Sequence, residues 1–337
     1  MALTSLFSTA GAEPCCAPDF CLCDSSWLCG WWEVGGAALW EEPCVQAFSF
    51  ADGQTFLDNG RTTHTLFDVK PHFHWGFRVW ASWYSEVPCL FANATYKHIH
   101  SYRDGKSVDI APYPVAVINH IGEVFEDPTS SLSARQRTLY DTAYLRFGHN
   151  FYCDCDSFFY AFVDGRYVGA EIQRNVNFQA IEGRNSPAFW EEKSRFDGGG
   201  LELGVGGEYG ICGCLSAAGF FSTMGLIGNR SDSWERNQTF QGIGTIVDDY
   251  KKRNFVNSIV GFNLRAGLNY KDCFCLCGYP VRVVGEIGYE IDYYVNILGL
   301  RLISYLATPA FADTTLPDAT HANFGTSGLY LSLAIRV

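Results

Sequence analysis

The sequence predicts an all-β protein, a transmembrane antiparallel up-and-down β-barrel of 10 to 14 strands, ten of which can be located along the chain. Three observations predict this fold: apolar residues alternate with polar ones, long connections alternate with short ones, and aromatic residues cluster at strand ends. Hydrophobic residues make up 47% of the chain, yet no stretch approaches the roughly 18 consecutive apolar residues of a membrane helix. The composition therefore favours a protein that crosses a membrane with strands.

Alternation of period two is the clearest signal. In one segment Phe73, Trp75, Phe77, Val79, Ala81 and Trp83 alternate with His72, His74, Gly76, Arg78, Trp80 and Ser82. The same alternation recurs in residues 256–269, 281–292 and 329–337. One face of such a strand suits lipid and the other suits a wet lumen. A soluble β-sandwich gives the same alternation, so this signal alone leaves both folds open.

The spacing of the connections separates these two folds. The ten predicted strands are residues 31–42, 72–84, 90–102, 138–151, 158–172, 199–210, 215–228, 255–270, 280–293 and 326–337. The long connections are residues 50–71, 103–137, 173–198, 229–254 and 295–325, and the four short ones contain cysteines. Long outside loops, short periplasmic turns and an even strand count are typical of bacterial outer-membrane barrels. Further strands at residues 45–50 or 298–306 would raise the count to twelve or more.

Aromatic residues mark both borders of the predicted apolar band. Trp31 and Trp32 open the first strand, and Trp83 and Tyr84 close the second. Amphipathic rings at these positions are expected at the headgroup level of a bilayer, although aromatic core packing gives a similar pattern.

Cysteines are concentrated at one predicted rim. Of the fourteen cysteines, thirteen are disulfide candidates in the short connections and before the first strand: Cys15, Cys16, Cys21, Cys23, Cys29, Cys89, Cys153, Cys155, Cys212, Cys214, Cys273, Cys275 and Cys277. In an oxidising compartment such thiols form disulfides, and partners on neighbouring turns or other molecules fit better than the two ends of a C-x-C pair. Free thiols and thiolate metal sites are the alternatives. Cys44 is predicted to be a lone buried thiol.

The N-terminal region is predicted to be separate from the barrel. Residues 1–30 are interpreted as a signal-peptide remnant followed by a cysteine-rich periplasmic segment, and residues 31–337 as the barrel. Ala10-Gly11-Ala12 resembles a signal-peptidase site, although a basic region before it is lacking. A mature N-terminus behind an added Met and an ordinary flexible N-terminus are the alternatives.

Polar residues on the inward face are the candidate pore lining. They are Arg78, Asn93, Thr95, Lys97, Asn257, Asn263, Arg265, Asn269, Arg282, Glu286, Glu290 and Asp292. Facing rows of arginine and glutamate would keep water favourable and set up a transverse field that screens solutes by charge. A ten-stranded barrel is narrow, so a plugged interior is the alternative.

Other functions find little support. The net charge of -12 argues against nucleic-acid binding, which needs a concentrated basic face. Nucleophile elbows, phosphate loops and zinc-protease motifs are lacking, so neither an enzyme nor a cofactor is predicted. His72 and His74 face the lumen, whereas His98 and His100 face the other way, so the four do not form one metal site.

Several segments carry a family resemblance. The residues from Asp68 to Trp80 (DVKPHFHWGFRVW), together with those from Tyr144 to Ile172, resemble the Legionella major outer membrane protein family and its porin relatives in chlamydia-related bacteria. So do residues 200–228 and 255–294, and the most specific piece is Trp75-Gly76-Phe77-Arg78-Val79. The resemblance extends over most of residues 31–337.

This resemblance implies an outer-membrane pore that admits small hydrophilic solutes and ions by passive diffusion, with termini and short turns in the periplasm. The expected partners are outer-membrane lipid, further copies of the chain, and envelope proteins cross-linked through disulfides. The cysteine density is similar to that of chlamydia-like envelopes, so a structural or adhesive cross-linked barrel without an open channel is the alternative. A soluble secreted β-sandwich is a weaker one.

Overall fold

The structure is a computed structural model. It describes residues 31–45, 48–56, 62–85, 89–101, 104–109, 115–118, 123–125, 131–153, 157–179, 188–212, 214–240, 244–276, 279–300 and 320–337. The strands are β1 (Trp31–Val45), β2 (Phe48–Phe56), β3 (Thr62–Val69), β4 (His74–Tyr84), β5 (Leu90–His100), β6 (Asp104–Asp109), β7 (Val115–Ile118), β8 (Glu123–Phe125), β9 (Ser131–Cys153), β10 (Ser157–Gln179), β11 (Ala188–Cys212), β12 (Leu215–Phe240), β13 (Gly244–Leu276), β14 (Tyr279–Leu300) and β15 (Thr320–Arg336). No helix in these ranges is long and apolar enough to cross a membrane.

Ten of the strands form a closed antiparallel ring. Its order is β1-β4-β5-β9-β10-β11-β12-β13-β14-β15, and β15 pairs with β1 to complete it. Each ring strand overlaps one of the ten predicted strands, so the predicted all-β barrel is confirmed. The four short connections that contain cysteines, the start of β1 and the end of β15 lie at one end, called the turn end below, and the opposite end is called the loop end.

The two faces of each strand differ as the alternation predicts. On β4, Trp75, Phe77, Val79 and Trp83 are exposed on the outside, and Trp75 is 73% exposed. Arg78 and Ser82, between them, are buried in the lumen. On β15, Leu329, Leu331, Leu333 and Ile335 are exposed in the same way, while Tyr330 and Ser332 are buried. Because the exposed apolar side chains surround the ring, the exterior suits the hydrocarbon of a bilayer.

Glycines make room for aromatic rings that point into the narrow lumen. A methyl group on Gly35 would overlap the indole of Trp80, and one on Gly148 would overlap the ring of Phe91. The interior is therefore packed with side chains to a degree that a water-filled channel would not need.

The loop end differs from the prediction. Residues 173–179, 188–198, 229–240 and 244–254 belong to β10–β13, and only residues 241–243 connect β12 to β13. These strand extensions continue the hydrogen-bonded ladders beyond the apolar exterior, which is why alternation of lipid-facing residues did not reveal them. The strict alternation of long and short connections is therefore wrong at this hairpin.

One expectation about extra strands and one about a cysteine turn also changed. β2 pairs with β3 and β7, and β7 with β8, in a separate four-stranded sheet, so they do not enlarge the ring. β13 continues to Leu276, so Cys273 and Cys275 lie in a strand paired with β14 rather than in a turn.

Candidate channel interior

Lys97 is the centre of an ion-pair network in the middle of the lumen. Its Nζ lies 2.9 Å from Glu41 Oε1, 2.5 Å from Glu290 Oε1 and 2.8 Å from Asp292 Oδ2. Arg78 also binds Glu290. Lys97 is only 3% exposed and Asp292 only 1%, so these charged groups contact one another instead of bulk water.

Arg166 extends this network to the other side of the ring. It contacts Glu202 Oε2 at 2.7 Å and Asp292 Oδ1 at 2.8 Å, and its Nε donates to Thr142 Oγ1 at 3.1 Å. The residues joined in this way, called the central network below, include at least one from every ring strand: Glu41, Arg78, Lys97, Thr142, Arg166, Glu202, Ser222, Asn263, Glu290, Asp292 and Thr326. The network therefore spans the full cross-section of the barrel.

Charge in the central network is not balanced. It contains three cationic side chains, Arg78, Lys97 and Arg166, against four carboxyl groups, those of Glu41, Glu202, Glu290 and Asp292. With all carboxyl groups ionised, one negative charge is in excess. In an open channel with all four carboxyl groups hydrated and ionised, such an excess would favour cations over anions.

Apolar side chains fill the lumen on the loop-end side of the network. This apolar plug comprises Ile99, Val168, Ala170, Ile172, Phe196, Met224, Leu226, Ile259, Tyr294, Ile297, Leu298 and Phe324, all in one buried cluster. Each of these residues lies nearer the loop end than the central-network residue on the same strand does. At the border, the hydroxyls of Tyr140 and Tyr294 are 2.6 Å apart. The plug closes the lumen in this structure.

One end of β14 departs from regular pairing to form part of the plug. The register with β15 shifts between Tyr294 and Leu298, and Asn296 has a φ of 60°. Ile297 and Leu298, although adjacent in sequence, are both fully buried. Residues 295–300 are called the β14 end segment below.

The β14 end segment reaches across the lumen, beyond its neighbour β13. The amide of Gly299 donates to Ser194 Oγ of β11 at 3.0 Å, and Ser194 donates to Asp232 Oδ1 of β12 at 2.7 Å. A side chain at Gly299 would overlap the ends of the Arg230 and Asp232 side chains, which would have to shift to make room. A few specific contacts therefore hold the segment inside the barrel.

A cavity of about 160 Å³ occupies the turn-end side of the lumen. Ring faces of Trp80, Tyr84, Phe91 and Tyr160 line it, together with the amides of Asn150 and Asn269. The lumen thus consists of a polar cavity, the central network and the apolar plug, in that order from the turn end.

The predicted pore-lining residues all lie on inward-facing strand positions, but the structure divides them among these regions. Arg78, Lys97, Asn263, Glu290 and Asp292 belong to the central network. Asn93, Arg265, Asn269 and Glu286 line the cavity, and Thr95 donates to Asn93 Oδ1 at 2.7 Å. Asn257 donates to the carbonyl of Asn296 at 3.0 Å, and Arg282 pairs in register with Arg336 near the turn end. Whether they line a conducting pore stays a prediction.

Several interior residues were missed by the sequence reasoning. Glu41, Arg166 and Glu202 of the central network are charged residues at inward-facing positions, and each follows or precedes an exposed apolar neighbour by one position. That signal is present in the sequence. The residues of the apolar plug give no such signal, because strands there are apolar on the inner face.

Cysteine and histidine positions are partly described. Cys44 faces outward near the loop end and is exposed, with its sulfur 3.2 Å from Ser327 Oγ, so the prediction of a buried thiol is wrong. Cys89, Cys212 and Cys214 lie at the turn end and are free thiols in this structure. The side chains of Cys15, Cys16, Cys21, Cys23, Cys29, Cys153, Cys155, Cys273, Cys275 and Cys277 lie outside the described residues. Disulfide formation therefore stays a prediction.

The histidines do not form one site within the described part of the chain. His98 accepts or donates a 2.7 Å hydrogen bond with Asp141 on the exterior, and no metal-binding group of three His, Cys, Asp or Glu residues occurs among the described residues.

Comparison with known proteins gives one family and several distant structures. A family model described as the Legionella pneumophila major outer membrane protein precursor matches residues 28–337. The outer-membrane protease OmpT from Escherichia coli is 9% identical with a TM-score of 0.40, and the similarity covers 91% of this chain and 96% of that one. The toluene transporter TodX from P. putida is 9% identical with a TM-score of 0.33, covering 91% and 89%. No curated protein sequence matches the chain.

Proposed function

The chain belongs to the Legionella major outer membrane protein family and resides in the bacterial outer membrane, and we propose that it is a gated, porin-like channel for small hydrophilic solutes and ions. The observation that carries the proposal is the polar core of the lumen, where charged residues of the turn-end cavity and of the central network face inward instead of being confined to the rims. Burying charges is costly, and a lumen lined with so many of them suits a path for water and solutes better than a purely mechanical barrel. Catalysis forms no part of the proposal.

Opening requires movement of the β14 end segment. It is the part of the plug that has left the regular ladder, and its contacts with Ser194, Arg230 and Asp232 are few. When Ile297 and Leu298 leave the lumen, water reaches the central network from the loop end. The charged groups then separate, become hydrated and line the path together with the polar turn-end cavity.

The filled lumen itself favours the second candidate function. A barrel closed by both the central network and the apolar plug would serve as a structural, disulfide-linked envelope protein without transport. The two candidates differ in one measurable property, which is conductance under conditions that weaken the plug.

Planar-bilayer recording tests the channel. The variant carrying Ile297→Ala and Leu298→Ala removes buried side chains from the plug, and each Leu or Ile truncation in a core costs about 2–5 kcal/mol. We expect the wild-type barrel to open rarely and the variant to show frequent stepwise conductance. Val295→Ala is the matched control, because Val295 is on the same strand but faces outward.

Heat-modifiable mobility on a gel confirms that each protein is a folded barrel before recording. If folded wild-type and double-variant barrels both lack stepwise conductance, the channel proposal fails and the structural role takes its place.

Disulfides at the turn end form the second part of the proposal. Cys89, Cys212 and Cys214 lie at this end. In the sequence, Cys153, Cys155, Cys273, Cys275 and Cys277 are in or next to two further short connections, and the other five candidates precede β1. Mass-spectrometric mapping of non-reduced outer membranes is expected to find links among the thirteen candidates.

Maleimide applied to intact cells is expected to label Cys44 at the loop end but not the turn-end cysteines. Labelling of turn-end cysteines without reductant or permeabilisation would contradict the assignment.

The apolar exterior supports outer-membrane lipid as a direct partner. Self-association and cross-links to other envelope proteins are included in the proposal, and the same non-reduced mapping identifies any intermolecular link.

A further inference from the structure

We propose that the turn-end cavity is a binding site for a small uncharged polyhydroxyl solute, such as a short polyol. The inference rests on the proposed function, because it names a solute class that the channel would pass. It is carried by two buried acceptors, by the pairing of every charge in the cavity wall, and by the size of the space.

The first observation is a pair of buried amide oxygens. Asn150 Oδ1 and Asn269 Oδ1 both line the cavity, both are shielded from solvent, and neither has a hydrogen-bond partner. Asn269 is 4% exposed. A buried acceptor without a donor costs about 1–3 kcal/mol, so an occupant that donates hydrogen bonds is strongly favoured over an apolar one.

The second observation is that the charged groups of the wall are already paired. Glu33 accepts from Arg336 Nε at 2.6 Å and from Trp80 Nε1 at 2.8 Å, and Arg146 forms an ion pair with Asp164 at 2.8 Å. Arg265 binds Glu286, and Lys271 binds Glu208. A charged ligand would compete with these pairs. The two asparagine oxygens, in contrast, accept hydrogen bonds from a neutral donor without disturbing any pair.

The third observation concerns shape and the aromatic wall. A volume of about 160 Å³ corresponds to about five waters at about 30 Å³ each, or to one small polyol. Tyr84 and Phe91 are partly stacked with ring centroids 5.7 Å apart, and Phe91 meets Tyr160 edge to face at 5.3 Å. These rings present apolar surface to the C–H groups of a polyol, while its hydroxyls donate to the two asparagines.

Water is the competing occupant of the cavity. Water also donates to both amides, but it leaves the ring faces without apolar contact. A polyol satisfies both kinds of surface at once. The measurement therefore has to distinguish added solute from solvent.

Saturation-transfer NMR on the detergent-solubilised barrel tests the site with glycerol, erythritol and xylitol as probes, and with acetate as the charged comparison. We expect transfer to at least one polyol and none to acetate. Asn269→Leu is expected to weaken polyol binding about tenfold, which corresponds to about 1.4 kcal/mol. Ala218→Leu, which fills space in the cavity wall without removing either amide, is expected to weaken it as well.

The matched control is Asn257→Leu. Asn257 is on the same strand as Asn269 but lies outside the cavity wall, so polyol binding is expected to persist. Absence of transfer to all three polyols, or transfer unchanged by both cavity variants, overturns the proposal and leaves water as the occupant. The measurement does not need an open channel, so binding without bilayer conductance would overturn the proposed function while leaving this site intact.

Discussion

The middle of the lumen and its loop-end half are both closed, but by different kinds of interaction. The central network closes the middle through ion pairs whose partners are fixed in geometry, as Lys97 shows with its three carboxylates. The apolar plug closes the loop-end half through packing that has no preferred partner, and part of it belongs to an irregular segment of β14. Ion pairs of this kind favour one arrangement of the ring. In the proposed channel, the central network therefore sets the shape of the barrel, and the packed segment is the part that moves to open it.

The largest expected effect comes from breaking the central network. Lys97→Met leaves Glu41, Glu290 and Asp292 with less compensation in a buried site, and loss of one partner from a buried ion pair costs about 3–5 kcal/mol. Urea unfolding in lipid vesicles, followed by gel mobility, measures the change. Lys193→Met is the matched control, because Lys193 binds Glu171 at 2.9 Å on the exterior and such exposed pairs contribute under about 1 kcal/mol. Equal losses in the two variants would remove the structural role assigned to the network.

A smaller effect is expected at the border between the two regions. Tyr294→Phe removes the hydroxyl that contacts Tyr140 at 2.6 Å, and a hydrogen bond of this kind contributes about 1 kcal/mol. Tyr289→Phe serves as the control, because Tyr289 is exposed on the outside of the same strand. The unfolding assay is the same. A loss as large as that of Lys97→Met would show that the border, rather than the ion pairs, holds the ring.

The smallest expected effect concerns ion preference. The extra carboxyl group of the central network predicts that open channels prefer K⁺ over Cl⁻. Glu41→Gln removes that extra charge and is expected to lower the permeability ratio about twofold, equivalent to about 0.4 kcal/mol. Reversal potentials in a salt gradient measure the ratio, with Glu171→Gln on the exterior as the control. A preference for anions in the wild-type channel would contradict the charge count.

Much of the ring could be predicted from the sequence, because lipid and lumen impose opposite polarity on neighbouring residues. Phe77 and Arg78 were assigned to opposite faces on that basis, and the structure places them so. The extensions of β10–β13 could not be predicted in this way. Outside the bilayer the exterior carries residues such as Lys193 and Arg195, so the lipid-facing signal ends before the strand does.

The contacts between side chains within the lumen also could not be predicted from the sequence. Lys97 was predicted to face inward, but its contacts with Glu41 and Asp292 depend on how far the closed ring staggers its strands. The bend of the β14 end segment depends on Gly299 fitting against Arg230 and Asp232, which are more than 60 positions away in sequence. Local patterns carry no information about such long-range contacts.

The distribution of the three carboxylates around Lys97 has a consequence for biogenesis. Lys97 lies on β5, whereas its partners lie on β1 and on β14, close to the two ends of the chain. A lysine alone at the centre of a bilayer costs about 2.5–3.5 kcal/mol. Within the β1-β4-β5 part of the ring only Glu41 is available to Lys97, and the other two carboxylates arrive with β14. Insertion of the β4–β5 hairpin is therefore expected to become more favourable when β1 is alongside, and more so once β14 is in place.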